Sequence, residues 1–255
     1  MKTVRMQLAY DGTAYHGWQI QPNGISVQQI LQERLALITN AKTSVLSAGR
    51  TDAGVHALAQ TVSFRTETRH SPDVFRRALN ATLPHDIRIL TAEEAPDDFH
   101  PRFDAKSKSY AYIVVNEKDA SPFIARYAWT VPQKLDGKVM QAAGGSLVGR
   151  HDFTSFRASG CEARSTVRTV LSLAISQHTS LDFLGFSIAG DFFVFRIEAD
   201  AFLRHMVRNI VGTLVEIGLG KRKADAVPEL LLARDRSRAG RTAPACGLFL
   251  EHVNY

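Results

Sequence analysis

The chain has 255 residues, of which 45% are hydrophobic and 22% are charged, and its formal net charge is +6. This length exceeds what a single core usually serves and predicts two domains, while no segment approaches the roughly 20 apolar residues of a membrane span. The two cysteines form no CxxC pair, so the sequence predicts a protein of the reducing cytoplasm with no membrane contact.

The N-terminal half alternates segments that are typical of strands and helices. Thr3–Tyr10 alternates polar and apolar residues, which predicts a strand and argues against a cleaved signal peptide. Ser26, with Gln29 three residues later, predicts a capping box at the start of a helix. The remaining predicted elements are a strand at Ser44–Ala48, a strand at Gln60–Arg65, a helix opened by Ser71-Pro72-Asp73 and a strand at Asp86–Glu93. This β-α-β-β-α-β order predicts a split βαβ, ferredoxin-like unit.

In the C-terminal half, the sequence predicts a similar but less regular order of strands and helices. Phe202–Gly218 has the clearest helical pattern, with an apolar stripe along one face. The other predicted elements are strands at Lys108–Val115, Val167–Ser176, Phe192–Ala199 and Gly247–Val253, and helices at Asp136–Leu147 and Ala226–Arg234. We therefore predict an α+β fold of two tandem, pseudo-symmetric sheet domains, 1–105 and 106–255, with an active-site cleft between them.

The net charge is confined to the second of these halves. Residues 1–105 contain 11 Lys+Arg and 11 Asp+Glu, whereas residues 106–255 contain 20 and 14. Such an asymmetry predicts a polyanionic partner held mainly by the C-terminal half. A solvated basic surface without a partner is the alternative. The run Lys221–Lys223 is a candidate for the contact, although it also suits a solvated linker.

The segment Gly49–Ala57, GRTDAGVHA, contains the candidate reactive group. Asp52 stands between Arg50 and Gly54, directly after a predicted strand. A carboxylate on a tight turn at a strand end can serve a cleft as a general base or a nucleophile, although Asp beside Gly is also a common turn former or helix N-cap. The GxxxxG spacing lacks the Lys and Ser/Thr of a phosphate loop, which excludes that reading.

Other common catalytic and cofactor motifs are absent from the sequence. No GxGxxG follows a strand, no GxSxG occurs, and the nine histidines form neither HxxxH nor HxH. We therefore expect no cofactor and no metal. His56 and His205 are the two histidines kept as candidates. A constellation of Asp, Arg and Tyr suits a flat substrate on an anionic backbone, which indicates a nucleotide within a polymer.

Four separated blocks of the sequence resemble the TruA family of tRNA pseudouridine synthases, in that family's order and over essentially the whole chain. The blocks are YDGTAYHGWQIQPN at 10–23 with SVQ at 26–28, GRTDAGVHALAQ at 49–60, KSYAY at 108–112, and FLRHMVRNIVG at 202–212 with APACGLFL at 243–250. The resemblance implies isomerisation of uridines 38–40 in the anticodon stem-loop of tRNA, without metal or cofactor. It also implies two pseudo-symmetric sheet domains and a homodimer.

The resemblance also implies roles for four residues. Asp52 corresponds to the catalytic aspartate, a nucleophile toward either the ribose or ring carbon 6. Arg50 corresponds to the arginine that helps turn the base out of the helix. Tyr110 would stack on the flipped uracil, either with or without handling the carbon-5 proton, whereas Tyr112, on the same strand face, also suits core packing. Arg208 would pair with Asp52, although its position alone indicates a residue of the helix surface.

One loop, Ser159–Arg168, departs from the family pattern. Members more often carry Gln at the position of Glu162 and Pro at that of Thr166, and this loop is expected to touch tRNA.

Two other functions remain open. A non-catalytic RNA-binding module of the same fold would need exposed aromatic residues on its strand motifs, and Ser44–Ala48 has none. A nucleoside glycosidase would need two carboxylates about 5–10 Å apart, whereas only Asp52 lies in a motif.

Overall fold

The chain divides into two units, Met1–Lys108 with Phe249–Tyr255, and Ser109–Leu248. A computed structural model describes residues 1–161, 163–183 and 185–255. The strands are β1 (Lys2–Tyr10), β2 (Leu46–Ser47), β3 (His56–Thr66), β4 (Ile87–Ala95), β5 (Ser107–Val115), β6 (Trp129–Thr130), β7 (Gly149–Asp152), β8 (Val167–Phe183), β9 (Phe186–Ala199) and β10 (Leu248–Asn254). The helices are α1 (Val27–Thr39), α2 (Pro72–Thr82), α3 (Pro122–Ala125), α4 (Gly137–Gly145), α5 (Met206–Gly218) and α6 (Ala226–Ala233). Within this described part of the chain, no helix combines the length and apolar character needed to cross a membrane.

The first unit has the predicted β-α-β-β-α-β order. Strand β1 pairs antiparallel with both β3 and β4, β2 pairs antiparallel with β3, and β10 pairs parallel with β3. The alternation read in β1 is confirmed because Val4, Met6 and Leu8 are fully buried. The sheet is therefore mixed, and the predicted α+β class is confirmed.

Helix α1 begins as predicted, but only half of its capping box forms. The Ser26 Oγ accepts the Gln29 N–H at 3.2 Å. The reciprocal bond from the Ser26 N–H to the Gln29 side chain is absent among the described residues, and the Gln29 amide donates to Glu33 one turn further along the helix. Helix α2 begins with Pro72 at its first position, as the sequence indicates.

The second unit has the strand order β5-β9-β8-β7, with β6 parallel to β5. Strands β8 and β9 form a long antiparallel hairpin and extend well beyond the predicted segments. Helix α5 begins four residues later than predicted, because His205 has a left-handed backbone (φ 61°) that no helix can include. The predicted start at Phe202 is therefore wrong.

The division of the chain assigns almost all of β10 to the first unit. The first unit comprises Met1–Lys108 and Phe249–Tyr255, so it includes all of β10 except Leu248, a strand that the sequence predicts within 106–255. Its partner β3 is distant in sequence, so the local pattern could not show this pairing. The tandem pseudo-symmetry of the two halves stays a prediction.

Candidate active site

Asp52 lies on a short turn between β2 and β3. The Val55 N–H donates to the Asp52 carbonyl oxygen at 3.1 Å, and Gly54 has a left-handed φ of 76° that glycine adopts without a Cβ penalty. The Asp52 side chain is half-buried, and Arg50 at the start of the turn is exposed. The turn therefore presents a carboxylate and a guanidinium two residues apart.

The turn is held by residues of the first sequence block, which begins at Tyr10, the last residue of β1. The Tyr10 hydroxyl is hydrogen-bonded to Thr51 Oγ1 at 2.7 Å, and the Trp18 N–H donates to the Thr51 carbonyl at 3.0 Å. The Gly54 N–H donates to the Tyr15 carbonyl at 3.3 Å. Burial raises the pKa of Tyr10 to about 12, so this hydroxyl stays protonated at neutral pH. These contacts fix both sides of Asp52.

Two glycines let the first block approach the turn closely. A Cβ on Gly12 would overlap the Val55 carbonyl, and a Cβ on Gly17 would lie 2.6 Å from the Thr51 carbonyl oxygen. Gly17 also has a left-handed φ of 87°. Glycine is therefore required at both positions for the backbone of one block to pack on the other.

Replacing Gly17 with alanine is expected to destabilise the protein by about 1–3 kcal/mol. Alanine would be strained at this left-handed φ, and its Cβ would also clash with the Thr51 carbonyl oxygen. Thermal unfolding measures this as a fall of about 2–4 °C in Tm for each kcal/mol. Gly145→Ala is the matched control, since a Cβ there meets no atom within 4 Å. Equal Tm values for the two variants would contradict the assigned close packing.

His56, the first residue of β3, fastens the other end of the turn. Its Nδ1 accepts the Gly12 N–H at 3.1 Å and lies 3.1 Å from the Asp11 carboxylate. The ring is buried and stacks on Phe249 at 4.7 Å between centroids. Of the two candidate histidines, His56 thus lies where it can hold the first sequence block against the turn of Asp52. His205 is half-buried at the start of α5.

Sequence reasoning gave no role to Lys108, which the structure places beside this motif. Lys108 is only 8% exposed, and its Cδ and Cε would lie 3.9 Å from a Cβ on Gly49. Gln60 also holds this segment, because its amide donates to the Gly49 carbonyl at 2.8 Å. Lys108 begins the block KSYAY and Gln60 ends the block GRTDAGVHALAQ, so membership of these blocks is the sequence feature that could have predicted their place beside Gly49.

Tyr110 and Tyr112 occupy β5 in the second unit and differ in their surroundings. Tyr110 is 7% exposed and packs edge-to-face with Phe202 at 5.0 Å between centroids. Tyr112 is fully buried, and its hydroxyl donates to the Pro244 carbonyl at 2.8 Å. Burial raises the pKa of Tyr112 well above its ordinary value. Tyr112 is therefore a core residue, as its alternative interpretation predicted.

Arg208 on α5 is half-buried and tied to the segment that follows α6. Its Nε donates to the Ala243 carbonyl at 2.8 Å, and the Ala243 N–H donates to the Arg208 carbonyl at 3.1 Å. Arg208 is thus held in place, unlike a solvated residue of a helix surface. Asp52 and Arg50 lie in the first unit and Tyr110 and Arg208 in the second, so the pairing of Arg208 with Asp52 stays a prediction.

Two expectations concern metals and the loop Ser159–Arg168. Across the residues that the structure describes, His, Cys, Asp and Glu side chains form no group of three or more that could hold a metal ion. Of the two positions that depart from the family pattern, Glu162 lies outside the described residues. The carbonyl of Thr166, the other, accepts the Phe153 N–H at 3.0 Å.

Comparison with known proteins matches both halves of the chain. The family model of tRNA pseudouridine synthases matches residues 7–104 and 143–255. The chain is 42% identical to tRNA pseudouridine synthase A of Thermoanaerobacter sp. strain X514, over the full length of both proteins. It is 43% identical to the proteins of that name from Geotalea uraniireducens strain Rf4, over both full lengths, and from Myxococcus xanthus, over all of this chain and 92% of that one.

Proposed function

Because the chain belongs to the tRNA pseudouridine synthase family, we propose that it isomerises uridine to pseudouridine in tRNA, at positions 38–40 of the anticodon stem-loop. The observation that carries this proposal is the turn of Asp52, held on both sides by the neighbouring sequence block. A fixed carboxylate suits a reaction in which one nucleophile must meet one flipped nucleotide.

The reaction exchanges one glycosidic bond for another within the same nucleotide. The bond from ribose carbon 1′ to N1 of uracil breaks, the base turns, and carbon 1′ bonds to ring carbon 5. Carbon 5 then loses its proton and N1 gains one, so atoms and electrons balance without an oxidant or reductant. Asp52 acts as the nucleophile, on the ribose or on ring carbon 6, and is released when the new bond is complete.

The target uridine must leave the stem-loop before this chemistry begins. Flipping costs a few kcal/mol of unstacking, and the exposed Arg50 can occupy the vacated space and offset part of that cost. Tyr110, which packs edge-to-face with Phe202, stacks on the flipped uracil, and its hydroxyl relays the carbon-5 proton by accepting it as it releases its own. Arg208 pairs with Asp52 and favours the ionised carboxylate.

Release of tritium from tRNA labelled at carbon 5 of uridine tests this proposal. Pseudouridine formation frees one carbon-5 hydrogen per event, so label should enter water in proportion to product. A non-catalytic RNA-binding module would retain the label, and a nucleoside glycosidase would release free uracil. Either of these outcomes would contradict the proposed isomerisation.

We propose that the basic C-terminal half binds the body of the tRNA. We also propose that the enzyme acts in the cytoplasm as a homodimer. A two-fold dimer lets the basic surface of one subunit hold the tRNA body while the other subunit receives the uridine. Light scattering should give a mass about twice the 28.2 kDa of one chain. A fully active monomer would contradict the dimer.

The run Lys221–Lys223 divides into two kinds of residue. Lys221 and Lys223 are exposed, whereas Arg222 binds Glu216 through Nε at 2.5 Å and the Arg238 carbonyl through Nη1 at 2.6 Å. Reversing the charge at all three positions would therefore also break a structural contact. The two lysines can be tested without that complication.

The variant Lys221→Glu/Lys223→Glu is expected to weaken tRNA binding more than it slows turnover at saturating tRNA, because phosphate contacts supply affinity and not chemistry. Titration at several salt concentrations should also show a shallower dependence of affinity on salt. Lys42→Glu/Arg69→Glu, in the neutral half and equally exposed, is the control. Equal losses in both variants would refute a local contact.

A further inference from the structure

A cavity of about 580 Å³ lies within the second unit, beside the start of α5. Its walls come from the segment after β7, the residues just before α5 and the segment after α6. Four arginines contribute to the lining against a single carboxylate, Asp235; the arginines are Arg157, Arg204, Arg234 and Arg236. The cavity is therefore strongly basic.

Three of these five charged side chains already have partners within the unit. Arg234 pairs with Asp152 at 3.1 Å, and Arg236 donates to the Asn209 side chain at 2.9 Å. The Asp235 carboxylate accepts both the N–H and the hydroxyl of Ser237, at 2.8 and 2.7 Å. Asp235 thus caps its own turn, and the lining still carries four positive charges against its one negative charge.

The remaining two, Arg157 and Arg204, make no side-chain hydrogen bond or ion pair among the residues that the structure describes. Their backbones are nevertheless joined, because the N–H of Ala158 donates to the Arg204 carbonyl at 2.9 Å. The Arg157 N–H also donates to the Thr154 carbonyl at 3.3 Å. Two guanidinium groups that pair with no carboxylate among the described residues therefore line one cavity, an arrangement that a bound anion would stabilise.

The position of the cavity indicates which anion it takes. Thr242 lines it, and the next residue, Ala243, is bonded in both directions to Arg208. Guanidinium groups bind phosphate oxygens in pairs of parallel hydrogen bonds. We propose that this cavity binds a phosphodiester group of the RNA substrate, with Arg157 and Arg204 as its donors. The assignment rests on the proposed function, since it takes the anion from the same tRNA.

The first test removes both charges in Arg157→Gln/Arg204→Gln. Each lost phosphate contact lowers the slope of log affinity against log salt by about 0.7–0.9, so loss of the one proposed phosphodiester contact should make the slope shallower by about 0.7–0.9. Affinity at moderate salt should fall at least about tenfold, with kcat at saturating tRNA within a few-fold. Tm should be unchanged, because neither side chain has a protein partner among the described residues.

Lys134→Gln/Lys138→Gln is the matched control, with the same charge change at exposed positions of the same unit that do not line the cavity. It should keep the parent's slope and an affinity within about threefold. If the arginine variant behaves like this control, the proposal is overturned. The slope of log affinity against log salt depends only on tRNA binding, so it can be measured even if the protein releases no tritium. Failure of this phosphate site and failure of the proposed isomerisation are therefore distinguishable.

Nuclear magnetic resonance of the arginine Nε–H groups tests the site in the parent protein. The dinucleotide UpU, a phosphodiester, should shift the signals of Arg157 and Arg204 in a saturable way, and more strongly than inorganic phosphate at equal ionic strength. A stronger response to inorganic phosphate would identify a site for free phosphate and overturn the RNA assignment. No response to either probe would overturn the site itself.

Discussion

Replacing Asp52 with asparagine is expected to abolish pseudouridine formation while tRNA affinity stays within a few-fold of the parent. Asparagine has nearly the same shape but is no nucleophile, and binding depends mainly on phosphate contacts elsewhere. The hydrogen bonds described above for the turn join main-chain atoms, the Tyr10 and Thr51 hydroxyls and the Gln60 amide, none of which the substitution removes. The loss should therefore appear in the rate constant of the chemical step, measured by tritium release in single-turnover experiments.

Asp98→Asn is the matched control for this variant, because Asp98 is an exposed aspartate of the same unit. It should retain the parent's activity and Tm. Activity of Asp52→Asn above about one per cent of the parent would contradict a covalent role for the carboxylate.

Replacing Tyr110 with phenylalanine is expected to reduce kcat by about 10²–10⁴-fold, because the ring still stacks but the hydroxyl that takes the carbon-5 proton is gone. Tyr110→Ala should lose more, since it also removes the ring that packs with Phe202. Product formation with saturating tRNA separates this loss of chemistry from a loss of binding.

Tyr112→Phe is the matched control on the same strand. It removes the hydrogen bond to the Pro244 carbonyl and should cost about 0.5–1.5 kcal/mol of stability, with little change in kcat. A mild effect of Tyr110→Phe would limit Tyr110 to stacking. Normal turnover in Tyr110→Ala would exclude both roles.

Periodicity predicted much of the fold because most elements have one buried face. The structure confirms the alternating buried face of β1 and the capping of α1 by the Ser26 side chain. The start of α5 was mispredicted because apolar spacing continues through Leu203, while a left-handed His205 interrupts the backbone. The hairpin of β8 and β9 was predicted too short, since cross-strand pairing extends it through segments 177–183 and 186–191, where polar and apolar residues are mixed.

The candidate site was predicted unevenly for a related reason. Motif blocks indicated Asp52, but the contacts that orient its turn come from residues some 30 to 45 positions earlier, such as Tyr10 and Trp18. The buried Lys108 and the basic cavity depend on packing between distant segments, which no local pattern shows. The sequence thus indicates Asp52 as the candidate reactive group, and the structure shows the contacts that hold its turn.

Mapping pseudouridine at single-nucleotide resolution in an unmodified tRNA transcript, incubated with the parent protein and with Asp52→Asn, tests the central claim most directly. The parent should convert uridines at positions 38–40, and the variant should leave every one of them as uridine. Absence of pseudouridine with the parent, or its formation at these positions by the variant, would contradict the claim that Asp52 isomerises anticodon stem-loop uridines.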